Sequence, residues 1–313
     1  MINWGINALN HGSSLAVITD KLEYFQIDTD QTLTTETVEH AFKLGRPDRI
    51  FWYEQPLIKK ARQLYASQYK TAFDMSVMPS VYLDKIGCKY VPVTYVPHHA
   101  SHAAAGYYTS PFEDAAVVVL DAIGEFDCAS IWHGKGNNLR KVWSASYPNS
   151  LGLFYSAFTK LIGLTPLKDE FLLQQMADLG DPYVFYNTVK EYFNGTIKLT
   201  RNLHRGVYDW PHDIPNLETQ CNIAAAVQLV FEEQLHGVLE VAYQLTRTYN
   251  LVYMGGCAMN STANARQLHN WDKVWSLPNP GDPSSAIGAI LWKTKQRLVW
   301  DGGPPKHIVN KGI

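Results

Sequence analysis

Short apolar runs separated by polar turns fill the first part of the chain, and their spacing indicates β-strands. Residues 3–7 and 14–19 flank the turn Asn10-His11-Gly12-Ser13. This pattern predicts a strand, a polar turn and a returning strand. The tip of the predicted hairpin is unusually polar.

A β-branched run at 114–122, DAAVVVLDA, has an acid near its far end. A continuous apolar run of this length is typical of a strand buried on both faces. The strand would deliver Asp121 to its carboxyl edge. Buried strands that end in acids commonly face a ligand crevice, so we expect a site at this edge.

The second half alternates a long helix with a strand and a glycine turn. Apolar positions between 222 and 250 recur with the period of a long, partly buried helix. Residues 251–254 then predict a strand, which Gly255-Gly256 interrupts before a helix from about Asn260.

Acids near strand ends and glycine turns before helices occur in both halves of the chain. This pattern favours an α/β fold of two lobes around a nucleotide cleft, with ligands at the carboxyl ends of strands. We place the boundary near residues 145–150, which predicts an N-terminal lobe of residues 1–147 and a C-terminal lobe of residues 148–313.

Composition narrows the class of protein without indicating a ligand. The 313 residues are 46% hydrophobic and 18% charged, with a formal charge of -2, which is typical of a soluble globular protein. The four cysteines form no C-x-x-C pair, and no apolar run is long enough to cross a bilayer. We therefore expect a cytoplasmic protein with no membrane insertion.

Three of the 11 histidines lie within five positions, at His98, His99 and His102. Pro97 and the alanines that follow predict a short helix beginning near His98. On such a helix His98 and His102 share a face and are able to bind one divalent metal, while His99 points elsewhere. With Asp121 shortly afterwards, these residues make half of a metal site; hydrogen-bonded histidines without a metal are the alternative.

Five blocks, in order, resemble the O-carbamoyltransferases that act on nodulation factors, aminoglycosides and ansamycins. The resemblance runs from about residue 95 to 295, and weakly over the first 20. The blocks are His98-His99-Ala100-Ser101-His102 with the residues that follow, Asp121-Ala122-Ile123-Gly124-Glu125, Ser150-Leu151-Gly152 through Thr159, Gly255-Gly256-Cys257-Ala258-Met259-Asn260, and Pro280-Gly281-Asp282 through Ala289.

The resemblance implies a fold, a metal site and a nucleotide site. The family's transferase domain is similar to the tRNA threonylcarbamoyl transferase, which has two actin/sugar-kinase-like (ASKHA) lobes. Its metal, usually iron, would here be held by His98, His102, Asp121 and Asp282, although another divalent metal also suits such ligands. ATP or carbamoyladenylate would be bound by residues of the glycine turns, namely Gly124, Gly152, Gly255, Gly256 and Asn260.

The resemblance also implies a reaction. The family joins carbamoyl phosphate and ATP into carbamoyladenylate and then moves the carbamoyl group to a hydroxyl. Such a transfer needs a base near the acceptor. His11 lies where the family has its first histidine, and His212 or Asp213 are alternatives from the second lobe; for His212 an ordinary surface histidine is the competing interpretation.

The chain departs from the family pattern at several positions. Gly12 replaces an aspartate, Ala122 a glycine of the phosphate turn, and Leu172 a lysine. Family members continue into a YrdC-like domain that makes the adenylate, and we expect no such domain here. Either a separate adenylate-forming protein supplies the carbamoyladenylate, or one domain performs both steps.

The acceptor is the most open question. Residues 41–70 contain seven basic and two acidic residues, interleaved with aromatic residues. Basic side chains contact phosphates and aromatic rings stack on bases, which makes DNA a candidate, and a flipped 5-hydroxymethylcytosine would offer the hydroxyl. A sugar or natural-product hydroxyl, or simply a solvated helix face, fits the same pattern.

Two further functions fit the same residues. One is a tRNA threonylcarbamoyl transferase-like enzyme, which would share the metal site. The other is a non-catalytic nucleotide-binding subunit, for which Gly12, Ala122 and Leu172 are the motivation.

Overall fold

The structure is a computed structural model that describes residues 1–10, 12–19, 21–27, 32–298 and 306–307. The elements of the first part of the chain are β1 (Asn3–Asn10), β2 (Gly12–Ile18), β3 (Leu22–Ile27), α1 (Thr35–Leu44), β4 (Arg49–Trp52), α2 (Pro56–Tyr65), α3 (Tyr69–Phe73), α4 (Pro79–Lys85), β5 (Val93–Tyr95) and α5 (His98–Thr109).

The second part starts with a three-stranded meander and continues through a long helix. Its elements are β6 (Asp114–Gly124), β7 (Asp127–Lys135), β8 (Asn138–Ser146), α6 (Leu151–Leu161), α7 (Glu170–Ala177), α8 (Tyr186–Lys190), α9 (Leu217–Thr246), β9 (Asn250–Met254), α10 (Ser261–Gln267), β10 (Lys273–Trp275), α11 (Ser285–Thr294) and β11 (Lys306–His307).

The strands form two sheets with the same internal order. The first runs β11-β3-β2-β1-β4-β5 and the second runs β10-β9-β6-β7-β8. In each, an antiparallel meander is followed along the chain by two parallel strands; the first of these pairs with the first strand of the meander, and the second pairs with the first parallel strand. This duplication confirms the predicted α/β architecture of two similar halves.

The boundary between the two sheets lies earlier in the chain than the lobe boundary that the sequence pattern predicted. Strands β6, β7 and β8 pair with β9 in the second sheet, although they lie within residues 1–147, the predicted N-terminal lobe. The boundary between the sheets therefore falls between β5 and β6, and the predicted lobe boundary at 147/148 is not the boundary between the sheets. The reason is that β6 is the first strand of the second meander, whereas the predicted boundary left β6, β7 and β8 in the first lobe.

Strand β6 separates two hydrophobic cores, which explains why its residues 115–120 are all apolar. Ala115, Val117 and Val119 pack with α5, α11 and the first sheet. The alternate residues, from Ala116 to Leu120, pack with α6 and α9 on the other face. A strand with period-2 side chains and a core on each side has no polar face.

Helices α5 and α11 lie against each other between the sheets. All residues of α5 are buried, and most of those near the crossing are small. A Cβ at Gly288 of α11 would lie 1.7 Å from the Ser101 carbonyl oxygen, so only glycine permits this backbone contact. The close crossing holds the start of α5 near the end of β6.

Several predicted elements are confirmed with small shifts. The first hairpin is present as β1 and β2, and the predicted strand at 114–122 is β6. The long helix begins at Leu217 rather than near residue 222, and α10 begins at Ser261 with Asn260 as its cap. In the part of the chain that the structure describes, no helix has the length and apolar character that a membrane span needs. The four cysteines are buried and free.

Candidate metal and nucleotide site

Helix α5 presents two imidazoles at the end of the central strand of the second sheet. His98 is the first residue of the helix and His102 lies one turn later, so both rings face the same way. Their Nε2 atoms are 3.0 Å apart, and both side chains are almost completely buried. Two nitrogens this close, both directed inward, need a shared hydrogen or a shared cation between them.

Two carboxylates complete the cluster. Asp121 lies near the end of β6, and Asp282 opens a short 3-10 helix before α11. His98 Nε2 is 3.0 Å from Asp121 Oδ2 and 3.3 Å from Asp282 Oδ1, and His102 Nε2 is 3.4 Å from Asp282 Oδ1. One donor atom from each of the four residues lies within 4.8 Å of the others. The structure thus brings together all four side chains that the resemblance predicted as ligands.

The electrostatics of the cluster favour positive charge at its centre. Burial by itself lowers the pKa of His98, but the charge of Asp282 and hydrogen bonds that the imidazole donates to both carboxylates raise this pKa well above its usual value. Burial likewise opposes the ionised form of Asp282, yet the two imidazoles hold its pKa well below the usual range. Two nitrogens and two carboxylate oxygens that converge in a buried site are a suitable donor set for a divalent transition metal.

Neighbouring groups orient both carboxylates. Asn10 Nδ2 donates to Asp282 Oδ2 at 2.8 Å, and the Gly256 amide approaches Asp121 Oδ1 at 3.4 Å. Ser14 Oγ of β2 also donates to the Pro283 carbonyl at 2.6 Å, so the first hairpin contacts the segment that carries Asp282. Sequence reasoning missed Asn10, and the polar hairpin tip was the signal that pointed to it. His11, predicted as a base, lies outside the described residues.

The predicted glycines surround the end of β6. A Cβ at Gly255, where φ is +93°, would lie 2.2 Å from the Leu120 carbonyl oxygen, and a Cβ at Gly152 would lie 2.8 Å from Ala122 Cα. Gly255 N donates to the Pro280 carbonyl at 2.9 Å. These glycines therefore allow three chain segments to meet at the cluster, and the Gly255 amide is already bonded to protein. Gly124, also predicted for the nucleotide, packs against the imidazoles of His98 and His99.

Asn260 belongs to a buried polar network in the second half. Its Oδ1 accepts from Ala263 N at 2.9 Å, which caps α10, and its amide pairs with Gln228 of α9 at 3.0 and 3.1 Å. Gln228 in turn donates to Glu232, and Tyr155 donates to Gln228. The amide of Asn260 is thus held rigidly next to the glycine turn.

The candidate bases of the second lobe lie apart from the cluster. His212 and Asp213 are both exposed. His212 Nε2 lies 3.3 Å from Thr188 Oγ1, and its ring packs on Phe185 and Trp210. None of the four cluster residues is among these contacts.

The third histidine of the cluster sequence faces away from the two imidazoles, as helical spacing predicts. His99 Nδ1 lies 2.7 Å from Ser130 Oγ, which also accepts from Trp132 Nε1 at 2.9 Å. Burial lowers the pKa of His99 well below its usual value, with the charge of His98 adding to the effect. His99 is therefore buried in surroundings that disfavour its protonated form.

A second polar group borders the cluster on the α2 side. Glu125 is 9% exposed, and burial raises its pKa to about 7. Glu54 and Lys59 form a largely buried ion pair at 2.8 Å. Tyr53 is completely buried and packs on the His98 ring with centroids 5.4 Å apart. Sequence reasoning gave none of these residues a role in the site.

The fold and the buried His2Asp2 cluster define a two-sheet α/β protein with a candidate metal centre between its halves. The family described as "Carbamoyltransferase N-terminus" matches residues 52–291. The chain belongs to this family.

Curated relatives agree with that assignment. An uncharacterized protein of Synechocystis sp. is 28% identical over 92% of this chain and 56% of its own length. The nodulation protein NolNO of Sinorhizobium fredii is 24% identical over 65% of this chain and 32% of its own length. The chain thus spans about half or less of the length of these relatives.

One solved structure that matches this chain is an activator of 2-hydroxyisocaproyl-CoA dehydratase from Clostridium difficile with bound ADPNP. It shares 13% identity and has a TM-score of 0.48, and the match covers 97% of this chain and 100% of that chain.

Proposed function

We propose that this chain is the transferase part of an O-carbamoyltransferase, which moves a carbamoyl group from carbamoyladenylate to a hydroxyl acceptor. The observation that carries the proposal is the convergence of His98, His102, Asp121 and Asp282 within 4.8 Å, inside a family match that spans residues 52–291. An adenylate made from carbamoyl phosphate and ATP, by this chain or by a separate protein, would be the carbamoyl donor.

The four residues would hold one divalent metal, with iron as the expected ion. The donor set fits, because two imidazole nitrogens and two carboxylate oxygens meet in a buried site where the carboxylates favour positive charge. When bound, such a metal supplies Lewis-acid polarisation of a carbonyl or phosphoryl oxygen.

Protein groups around the metal ligands would orient the reactants. Asn10 and the Gly256 amide hold the two carboxylates in place. The glycine turn at Gly255-Gly256 follows β9, next to the end of β6, and this carboxyl edge of a parallel strand pair is where α/β folds bind ligands. We propose that the adenylate binds there.

We retain His11 as the proposed base for the acceptor hydroxyl. Its neighbour in the sequence, Asn10, donates to Asp282, which supports a role for the first hairpin at the cluster. His212 has its described contacts in the second half, with Thr188, Phe185 and Trp210, which makes it and the exposed Asp213 weaker candidates.

The acceptor remains a hydroxyl of unspecified class, with 5-hydroxymethylcytosine DNA as one proposal and sugar hydroxyls as another. The basic stretch 41–70 gives the DNA proposal less support than its composition indicated. Lys60 Nζ donates to the carbonyls of Thr71 and Asp74 at 2.7 Å. Lys59 pairs with Glu54, and Arg62 donates to the Glu125 carbonyl. Three of the seven basic residues thus bind the protein itself.

Mass spectrometry tests the proposal directly. The protein would be incubated with carbamoyl phosphate, ATP and a panel of acceptors: hydroxymethylcytosine DNA, oligosaccharides, aminoglycosides and tRNA. Synthetic carbamoyladenylate would replace the first two reagents in a parallel set. Transfer adds about 43 Da to one acceptor as a stable covalent product.

The controls separate a missing donor from a missing activity. His102→Ala should abolish the gain, whereas His236→Ala, an exposed histidine on α9, should leave it unchanged. Transfer only from synthetic carbamoyladenylate would assign adenylate formation to another protein. No transfer from either donor, with ATP still bound, would overturn the proposal in favour of a non-catalytic nucleotide-binding subunit.

A further inference from the structure

One buried carboxyl group lies between the starts of two helices next to the metal cluster. Glu125 follows β6, four positions after Asp121, and is 9% exposed. Its Oε1 accepts a short hydrogen bond from the Gln55 amide at the start of α2. The backbone N–H of His98, the first residue of α5, also favours the ionised form of this carboxyl and so lowers its pKa.

Neither helix has a cap of its own. The N-cap residues of α2 and α5 are Gln55 and Pro97, and neither makes a side-chain capping bond. The first N–H groups of a helix need acceptors from elsewhere, and a negative charge at that end is favourable. Glu125 supplies an acceptor at the start of α2, and its carboxyl interacts with the first backbone amide of α5.

The backbone around Glu125 is also fixed by contacts with both helices. Glu125 has a φ of +58°, an uncommon conformation for a non-glycine residue. Arg62 Nε of α2 donates to the Glu125 carbonyl at 3.2 Å, and Arg62 is itself buried. The preceding Gly124 leaves just enough room for the His98 ring. The turn of Gly124 and Glu125 therefore contacts both α2 and α5.

We propose that Glu125 is a positioning residue of the metal cluster, which sets the distance between the histidines of α5 and Asp121 at the end of β6. This inference rests on the proposed metal-dependent function. Metal–ligand distances tolerate deviations of only about 0.2 Å, so a small shift of the start of α5 would weaken binding. Removing a residue that orients metal ligands typically costs about 10- to 100-fold in metal affinity.

Titration with Co2+ followed by its visible absorption tests this inference without an activity assay. We expect Glu125→Ala and Glu125→Asp to raise the Kd for Co2+ by about 10- to 100-fold and to alter the absorption bands. The aspartate keeps the acidic group but is one methylene too short to keep the bond to the Gln55 amide. Glu125→Gln keeps an acceptor oxygen at full length and should restore the Kd to within about threefold of wild type.

A matched control removes a helix cap elsewhere. Asn216 caps α9 by accepting from the Thr219 amide at 2.9 Å. Asn216→Ala should lower the melting temperature without changing the Kd or the Co2+ spectrum. If Glu125→Ala does not fold, Glu125→Asp alone tests the inference, because aspartate tolerates a positive φ well.

The outcomes are distinct. Wild-type Kd and spectrum in both shortened variants, or no Co2+ binding by the wild-type protein, would overturn the inference. Carbamoyl transfer from carbamoyladenylate is measured separately on the wild-type protein, so its failure would count against the proposed function while leaving the metal-positioning result intact.

Discussion

Gly124 lies so close to His98 that a Cβ at position 124 would be 2.3 Å from His98 Cδ2. The same Cβ would be 2.7 Å from the His99 ring. Rings buried in a packed helix cannot move aside cheaply. The glycine predicted for a phosphate turn therefore has a steric role beneath a proposed metal ligand.

Gly124→Ala should displace the His98 imidazole and weaken Co2+ binding by at least about tenfold. The measurement is the same optical titration. Gly136→Ala is the matched control, because a Cβ at Gly136 meets nothing within 4 Å although φ is +56°. That variant should lose about 1 kcal/mol of stability and keep the wild-type Kd. Equal Kd values for Co2+ in the two variants would contradict the steric role of Gly124.

Asn10→Ala should weaken metal binding, because it deletes the amide that orients Asp282. We expect a rise of about tenfold in the Kd for Co2+, in line with the loss of a group that orients a ligand. Asn138→Ala, an exposed asparagine at the start of β8, should change nothing. Unchanged affinity in Asn10→Ala would show that Asp282 needs no help from the first sheet.

Asn260→Ala should destabilise the second half by about 2–4 kcal/mol, because it removes the α10 cap and leaves the buried Gln228 amide without this partner. Urea unfolding measures the loss. Asn216→Ala removes only an exposed cap and should cost about 1 kcal/mol. Similar losses for both would mean that the Gln228 network adds little.

His204 should make stability depend on pH. It lies within 3.0 Å of Tyr147 Oη and 3.4 Å of Gln68 Nε2, and its pKa is lowered by burial and by the charges of Arg62 and Arg205. The unfolded imidazole takes up a proton near pH 6.5, which the folded one resists until a lower pH. The stability it contributes is therefore complete above about pH 6.5 and decreases as the pH falls below that value.

Urea unfolding at several pH values between 7.5 and 5 tests this sign. His204→Gln should lose less free energy of unfolding over that range than the wild-type protein. His236→Gln, an exposed histidine on α9, should follow the wild-type curve. A steeper loss in His204→Gln would contradict the predicted direction.

The hydropathy pattern was sufficient to predict those helices and strands whose apolar residues recur with a regular period. β6 reads as a buried strand because both of its faces are covered, and α5 follows from Pro97 and a run of alanines. Helical spacing was also enough to place His98 and His102 on one face. These are local properties, and the backbone geometry alone determines them.

The sheet boundary could not be predicted in the same way. The hydropathy pattern of an antiparallel meander is the same whether its strands are the last of one sheet or the first of the next. The sequence pattern therefore left β6 to β8 with the first lobe. Pairing of β6 with β9, between residues such as Val117 and Val252, decides their sheet. Such pairing depends on contacts between distant parts of the chain.

The sequence by itself thus determined which helix carries the paired histidines, which strand ends in Asp121, and which family the motifs resemble. Only the tertiary structure decided that Asn10 reaches Asp282 across 272 residues and that Glu125 accepts a hydrogen bond from the start of α2. The physical reason is that side-chain hydrogen bonds between distant segments leave no periodic trace in the sequence. They exist only once the two sheets and the helices between them have packed.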